Sequence, residues 1–370
     1  MLKKRILSFL GAAAVTAALT FAVVSVSPSN GFTSGSLQEG MSYDTCGVSP
    51  DAIVAAVDGN GATADLITYW IGYSASYLDT YMQYYGGGAL DWSYTMSDGT
   101  TMSDYIKNDV LSTVKQELVI ENLAEQYGVT LTDEQKAAIE SDEQSFIEQY
   151  GGEEGFAAEL AKLGLRRETY ERITRANYLY QNLYQLYQTG GSALYASDED
   201  LAVYAADQGY ITADHILLAT KDTATGEALS DEQKAEKKAL AEELAEKLRS
   251  YTGDDLASYF AELADEYSED PGRASYPSGY TFTTGSMVQE FEDAAYALSE
   301  GEVSDIVESS FGYHILLRLP LDKAAETVRE DYFSHLIDEQ MDKAKAATSA
   351  DYDKLDPQAL YEAIVAAQAE

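Results

Sequence analysis

The spacing of apolar residues predicts two kinds of secondary structure in different parts of the chain. Residues 52–57 are apolar throughout and predict a short strand, which residues 58–61 close with turn chemistry. From residue 63 onward, apolar residues recur at helical spacing in segments that end at glycines. The sequence therefore predicts a mainly helical domain over residues 51–207.

The pattern changes at residue 210 and changes back after Pro320. Between these points the chain predicts strands and helices in the order β-α-α-β-α-β-β, with strands at 211–219, 280–284, 303–309 and 313–319. Strands mixed with helices at this density predict a small α+β domain over residues 208–320, with a four-stranded antiparallel sheet covered by helices.

Residues 321–370 return to helical spacing. The apolar stripe from Val328 to Met341 predicts one amphipathic helix, and a single such helix does not stay folded alone. We expect it to dock on the helical domain, so that the α+β domain is an insertion between two parts of one helical domain.

The N-terminus carries the pattern of an export signal. Lys3, Lys4 and Arg5 precede an apolar run from residue 6 to 26, which is also long enough to span a bilayer. We expect residues 1–27 to be a signal peptide or a retained membrane anchor, with the chain after residue 30 on the outer side. Residues 28–50 are rich in Ser, Gly, Thr and Pro and predict a flexible linker.

Composition excludes several function classes. The chain has 24 Lys and Arg against 63 Asp and Glu, a net charge of −39, which disfavours binding to nucleic acid or to an anionic lipid surface. A single cysteine, no His-x-x-x-His motif and no glycine-rich phosphate loop lead us to expect no metal and no cofactor. The 29 tyrosines suit helix packing first and a binding surface second, and they are compatible with a homodimer.

Several blocks of residues, in order along about 110 positions, resemble the parvulin-type peptidyl-prolyl isomerases. The blocks read ADHILL at 213–218, YSEDPG at 267–272, GSMV at 285–288, LSEGEVS at 298–304 and FGYHI at 311–315. The layout of a helical domain around such a segment is similar to the extracytoplasmic parvulin foldases of the PrsA and SurA kind. That resemblance implies isomerisation of X-Pro peptide bonds.

The resemblance also implies a set of site residues. His215, Asp270 and His314 take the catalytic positions. The residues expected at the substrate are Met287, Phe291, Phe282, Tyr280 and Ser309. The alternatives are two core histidines, a loop-capping aspartate and ordinary helix-face packing. The chain departs from the family at residues 277–282, where we expect Tyr280 to replace an apolar wall residue.

The function expected from the sequence is that of an exported foldase. Its partners would be unfolded or partly folded exported proteins that contain X-Pro bonds, and it would meet the membrane only through the N-terminal segment. Two alternatives remain open: a non-catalytic holdase chaperone, and a surface interaction protein that uses a parvulin fold.

Overall fold

The structure is a computed structural model and describes residues 31–369. The chain divides into two compact units. Unit 1 combines the described residues up to Tyr195 with the segment from Leu336 onward, and unit 2 is the continuous segment Ala196–His335. The predictions for residues 1–27, and for the first residues of the expected linker, fall outside the described residues. None of the helices within residues 31–369 is long and apolar enough to span a bilayer.

Unit 1 is mainly helical. Its first segment contains α1 (Met41–Cys46), β1 (Ile53–Val57), β2 (Asn60–Thr63), α2 (Ala64–Tyr81), a π-helical turn (Met82–Gly86), α3 (Met102–Tyr127), α4 (Asp133–Gln149), α5 (Glu153–Lys162) and α6 (Arg167–Gln188). Leu66, Ile67 and Ile71 of α2 are completely buried, which places this helix in the core of the unit.

Unit 2 mixes strands and helices. It contains α7 (Asp198–Asp207), β3 (Ile211–Ala219), α8 (Asp231–Arg249), α9 (Leu256–Tyr267), β4 (Tyr280–Phe282), α10 (Gln289–Ala297), β5 (Val307–Glu308) and β6 (Gly312–Leu319). Helix α11 (Glu326–Lys343) begins in unit 2 and ends in unit 1, where β7 (Ala346–Thr348), α12 (Ala350–Lys354) and α13 (Pro357–Ala369) follow.

A three-stranded antiparallel sheet in unit 1 joins distant parts of the chain. Its order is β2-β1-β7, and Ala55 of β1 pairs with Ala62 on one side and with Thr348 on the other. The sequence pattern does not predict β2 or β7, because strands of four and three residues are too short to show alternation. Both strands are formed by backbone pairing with β1 and not by a pattern in their own sequences.

Part of the segment expected to be a flexible linker contacts Asp51. The carboxylate of Asp51 accepts hydrogen bonds from the backbone N–H of Ser36 at 2.9 Å and of Leu37 at 3.2 Å. Helix α1 follows, and its Ser42 is buried. Within the expected linker the structure therefore contains a short helix and polar groups that hydrogen-bond to Asp51.

Unit 2 contains the expected four-stranded antiparallel sheet, in the order β4-β3-β6-β5. The α+β fold class is thereby confirmed. Strand β5 covers only Val307–Glu308, whereas the sequence predicts a strand over 303–309. The backbone N–H of Leu316 donates to Ser304 Oγ at 2.9 Å, so a side chain takes the place of one ladder partner there.

Unit 2 is larger than the α+β segment expected at 208–320. Helix α7, which the sequence assigns to the helical domain, is grouped with unit 2. The Tyr204 and Tyr210 hydroxyls both donate to Asp331 Oδ2, at 2.8 and 2.9 Å. One carboxylate thus joins α7 and the start of β3 to the first half of α11.

All nine residues of β3 are buried, and they divide between the two faces of the sheet. The closed face packs against α8 and α9. It contains Ile216, Leu218, Leu244, Leu248, Phe260, Ile315 and Leu317. The site face packs against α10. It contains Ile211, Ala213, Phe282, Phe291, Ala295 and Leu316.

Candidate active site

Two histidines lie side by side on the site face. The β3–β6 register pairs His215 with Leu316 and Leu217 with His314, so the histidines are diagonal neighbours whose side chains leave the sheet on the same side. Their ring centroids are 5.4 Å apart, and both residues are buried. The central strand pair therefore brings together residues that are 99 positions apart (314 minus 215).

Aromatic and apolar side chains surround the histidine pair. The ring of Phe291, from α10, stands almost perpendicular to both imidazoles, with centroids 5.1 Å from His215 and 5.6 Å from His314. Phe282 of β4 packs against Phe291 at 5.8 Å, and the partly buried Met287 joins the same cluster. These three side chains form an apolar surface next to the histidines.

The acidic loop after α9 places a carboxylate at the edge of this group. Asp270 Oδ2 lies 3.8 Å from His215 Nε2, which is beyond hydrogen-bonding distance. The same oxygen accepts a 2.6 Å hydrogen bond from the Tyr280 hydroxyl, while Oδ1 accepts the backbone N–H of Gly272 at 3.1 Å. Both carboxylate oxygens are therefore held in place.

Tyr280 contributes both a wall and a polar contact. Its ring stacks on that of His215, with centroids 5.6 Å apart and planes 28° apart, while its hydroxyl reaches Asp270. The ring lies beside His215, and a role as a wall of the substrate site remains a prediction. The hydrogen bond to Asp270 was not predicted, because it depends on how the loop of residues 268–280 folds back.

The opposite edge of the group is polar. Ser309 Oγ lies 2.7 Å from His314 Nε2 and also accepts the backbone N–H of Phe311 at 3.1 Å. The Nδ1 atoms of both His215 and His314 are buried and have no hydrogen-bond partner among residues 31–369. The structure thus brings all eight residues expected at the site into one group around the two imidazoles.

Comparison with known families decides what this arrangement represents. Residues 215–319 match the family described as rotamase, the PPIC-type PPIase domain. The match begins at His215, ends at the last residue of β6 and includes every residue placed in the site above. Residues 215–319 are a PPIC-type PPIase domain. The parvulin resemblance inferred from the sequence is therefore confirmed.

Relatives of the PPIase domain include bacterial foldases. Foldase protein PrsA 4 of Bacillus cereus is 44% identical over 98 residues, which cover 25% of this chain and 33% of that protein. Foldase protein PrsA of Staphylococcus aureus (strain MRSA252) is 28% identical over 246 residues, which cover 66% of this chain and 69% of that protein. The stronger identity is thus confined to about a third of the first relative.

Two solved structures are similar to parts of the chain. NmPin, the parvulin of Nitrosopumilus maritimus, is 35% identical and matches 30% of this chain and 96% of its own, with a TM-score of 0.22. PrsA from Bacillus subtilis is 21% identical and matches 87% of this chain and 93% of its own, with a TM-score of 0.26. Because both TM-scores are low, family membership rests on the sequence match.

Burial keeps the two histidines of the PPIase domain uncharged. It lowers the pKa of His215 to about 4, an effect that Arg273 increases and the Asp270 carboxylate opposes. Burial also lowers the pKa of His314 to about 4, and the neighbouring His215 adds to this shift. Both imidazoles are therefore neutral at neutral pH and offer one donor and one acceptor each.

Sequence reasoning missed an ion pair that anchors the loop of residues 268–280 in the PPIase domain. Arg273 Nη1 lies 2.6 Å from Asp214 Oδ1, and its Nε lies 2.9 Å from Asp265. Asp214 is buried and also accepts the backbone N–H of His215 at 2.8 Å. This pair ties the loop of residues 268–280 to β3 next to His215. The available signal was that Arg273 is the only Lys or Arg between residues 250 and 317.

The PPIase domain holds its polar groups without a metal-binding arrangement. Within residues 31–369, no group of three or more His, Cys, Asp or Glu is placed to hold a metal ion. The polar groups at the site are two imidazoles, a hydroxyl, a phenol and one carboxylate, next to an apolar surface.

Proposed function

We propose that this chain is an exported foldase that isomerises X-Pro peptide bonds in unfolded or partly folded exported proteins. The observation that carries the proposal is the buried pair His215 and His314, with Phe291 standing perpendicular to both rings. The family match over the same residues supports it. The foldase names of the bacterial relatives support the assignment of the whole chain.

Isomerisation requires no bond to break. The barrier of about 18–20 kcal/mol arises because rotation removes the resonance of the planar amide. The planar form is more charge-separated than the twisted form, so an apolar environment favours twisting. We propose that Phe282, Met287 and Phe291 supply this environment by packing on the prolyl ring.

The Asp270 carboxylate acts in the same direction. The planar amide places partial negative charge on the carbonyl oxygen, and a fixed carboxylate nearby raises the energy of that form relative to the twisted form. We propose that the carbonyl preceding proline lies next to Asp270. The Tyr280 and Gly272 hydrogen bonds fix the orientation of the carboxylate before substrate binds.

Neutral histidines suit this site. A charged imidazolium would attract the carbonyl oxygen and stabilise the planar amide, whereas neutral rings do not. We propose that His215 and His314 position the amide through hydrogen bonds, and that Ser309 orients His314 through the 2.7 Å contact with Nε2.

The remaining parts of the chain fit a foldase outside the cytoplasm. We propose that residues 1–27 direct export, as a cleaved signal or a retained anchor, and that residues 51–207 and 321–370 form the chaperone domain around the isomerase at 208–320. The basic flank and apolar run near the N-terminus support export. Clients would be bound by the helical domain while their X-Pro bonds are isomerised, with no cofactor. A homodimer of this domain is a further prediction, which sedimentation can test.

A His215→Ala variant tests the proposal in two assays. We expect isomerisation of a short prolyl peptide to fall by at least about tenfold, because a preorganised polar contact to the amide is lost. We expect the variant to suppress the aggregation of an unfolded client protein as well as the unaltered protein does. The control variant is His335→Ala, which removes a histidine of α11 that lies outside the site.

The two assays separate the alternatives. Unchanged isomerisation in the His215→Ala variant would show that the site is assigned to the wrong residues. If the unaltered protein isomerises at the background rate but still suppresses aggregation, the protein is a holdase and not an isomerase. Capture of a single folded partner, with neither activity present, would indicate a surface interaction protein.

A further inference from the structure

A row of exposed tyrosines lies at the C-terminal end of α2 in unit 1. Tyr77, Tyr81, Tyr84 and Tyr85 have exposed fractions of 61, 51, 83 and 73%. We call these four residues the tyrosine ridge. Exposed aromatic side chains that lie together on a soluble protein usually mark a site of interaction.

The ridge is arranged by the helix and by the π-helical turn that follows it. Tyr77, Tyr81 and Tyr85 are spaced four residues apart, so they line one side of α2 and its continuation. The rings of Tyr81 and Tyr85 are 4.9 Å apart, and those of Tyr84 and Tyr85 are 5.2 Å apart. The rings of Tyr81, Tyr84 and Tyr85 therefore form a continuous aromatic surface, and Tyr77 lies one helical turn before Tyr81.

Asp79 holds the chain around the ridge in place. Its carboxylate accepts the side-chain amide of Gln83 at 2.7 Å, the backbone N–H of Leu90 at 2.7 Å and the hydroxyl of Tyr361 at 3.1 Å. These contacts tie the turn after the ridge to α2 and to α13. The aromatic surface is thus built before any partner binds, which lowers the entropy lost on binding.

The residues that flank the ridge along the chain include several acidic residues and no basic ones. No Lys, Arg or His occurs between residues 6 and 106, whereas Asp79, Asp91 and Asp98 lie within or just after the ridge. The next cation, Lys107, places its ammonium 5.7 Å from the centroid of the Tyr352 ring and donates to the Asp353 carbonyl. The charge of this region therefore favours a basic partner.

A second copy of the chain is a poor partner for this surface. A symmetric contact through the ridge would bring the same acidic segment of each copy together, with no basic residue from that segment to offset the repulsion. A partner for the ridge must therefore complement two properties, its exposed aromatic rings and its negative charge.

We propose that the tyrosine ridge binds extended, proline-containing segments of unfolded polypeptide that carry Lys or Arg. Proline-rich segments adopt the polyproline II conformation in advance and dock on surfaces lined by aromatic rings. Lys and Arg are attracted to the faces of tyrosine rings and to nearby carboxylates. The inference rests on the proposed foldase function only in that the bound segment belongs to a client.

Binding of a labelled peptide tests this assignment. The probe is a fluorescent synthetic peptide of repeated Arg-Pro-Ala units, measured by anisotropy against the full chain. We expect the double variant Tyr84→Ser/Tyr85→Ser to bind about tenfold more weakly, because two exposed aromatic contacts are lost. The matched control is Tyr195→Ser, which removes another exposed tyrosine of unit 1 and should leave binding unchanged.

A second peptide and a second assay complete the test. A peptide of repeated Glu-Pro-Ala units should bind far more weakly than the Arg peptide, and added salt should weaken the Arg peptide. Isomerisation of a short prolyl peptide should be unchanged in the double variant, so loss of the foldase activity and loss of the ridge remain distinguishable.

Three results would overturn the assignment. Equal binding of the Arg peptide by the double variant would show that the ridge is not the site. Equal binding of the Arg and Glu peptides would show that the negative charge near the ridge does not select a basic partner. Sedimentation in which the unaltered protein is a dimer and the double variant a monomer would assign the ridge to a second copy of this chain instead.

Discussion

The two faces of the sheet in unit 2 are made from the same strands but differ in what they bury. On the closed face, β3 and β6 contribute Ile216, Leu218 and Ile315 to a cluster of apolar side chains under α8 and α9. On the site face, alternate positions of the same two strands contribute His215 and His314. A single strand therefore supplies apolar packing on one face and polar side chains on the other.

The difference shows where the domain can accept buried polar groups. Each imidazole leaves one buried nitrogen without a partner among the described residues, and such a group costs about 1–3 kcal/mol. The closed face has no comparable cost, since no residue of its cluster is among the described residues with an unpartnered buried polar atom. We infer that packing on the closed face offsets the polar burial that the site requires.

The largest expected effect comes from removing a ring on the closed face. Phe260 of α9 is completely buried, so Phe260→Ala leaves a large cavity. We expect the free energy of unfolding of unit 2 to fall by about 4 kcal/mol. Urea denaturation followed by a signal from unit 2 measures this loss.

If the two faces are independent, a substitution on the closed face should lower stability without lowering catalytic activity. We expect the milder variant Phe260→Leu to keep an unchanged kcat/KM per folded molecule, because Phe260 contacts the face opposite to the histidines. A kcat/KM that falls in step with stability would show that the two faces are not independent.

The second prediction concerns pH and the site face. Both histidines have a pKa of about 4 in the folded protein against 6.5 for a free histidine. Between these values the unfolded chain binds protons that the folded protein does not, so stability is lost as pH falls from 6.5 towards about 4. A pKa lowered from 6.5 to about 4 corresponds to about 3 kcal/mol of stability lost when one of these rings is protonated.

Activity should follow the folded-state values and not those of a free histidine. We expect kcat/KM to remain flat as pH passes through 6.5 and to fall only as it approaches about 4. A pH–rate profile with a midpoint near 6.5 would contradict neutral buried imidazoles. Replacing His335 tests whether a histidine outside the site contributes to the acid-side loss of stability.

Some features could be predicted from the sequence because their signals are local. The capping boxes Thr132 with Gln135, Ser197 with Asp200 and Ser230 with Gln233 each begin a helix, since the hydrogen bonds join residues three positions apart. The starts of all three helices follow from the sequence. The histidine pair follows from the family resemblance together with strand alternation.

Other features depend on contacts between distant residues and had no local signal. Strand β7 exists because Ala347 pairs with Ala56, and the backbone of Ser36 hydrogen-bonds to Asp51, 15 positions away. Similarly, the ion pair of Asp214 with Arg273 depends on a loop folding back over β3. The position of Arg273 in a long acidic segment predicts only that it pairs with a carboxylate, and does not predict which one.

The smallest expected effect separates the two roles of Tyr280. Tyr280→Phe keeps the ring that stacks on His215 but removes the hydroxyl that donates to Asp270 at 2.6 Å. A hydrogen bond to a charged group contributes about 1.5 kcal/mol, so we expect kcat/KM to fall about tenfold while stability changes little.

The matched variant is Tyr280→Ala, which removes the wall as well as the hydroxyl. If Asp270 acts on the substrate carbonyl only when its orientation is fixed, most of the lost activity should already appear in Tyr280→Phe, with kcat and not KM as the affected constant. If Tyr280→Phe is fully active and Tyr280→Ala is not, the ring alone matters. The apolar surface would then account for the contribution of Tyr280, and the site face would resemble the closed face more closely than the polar contacts suggest.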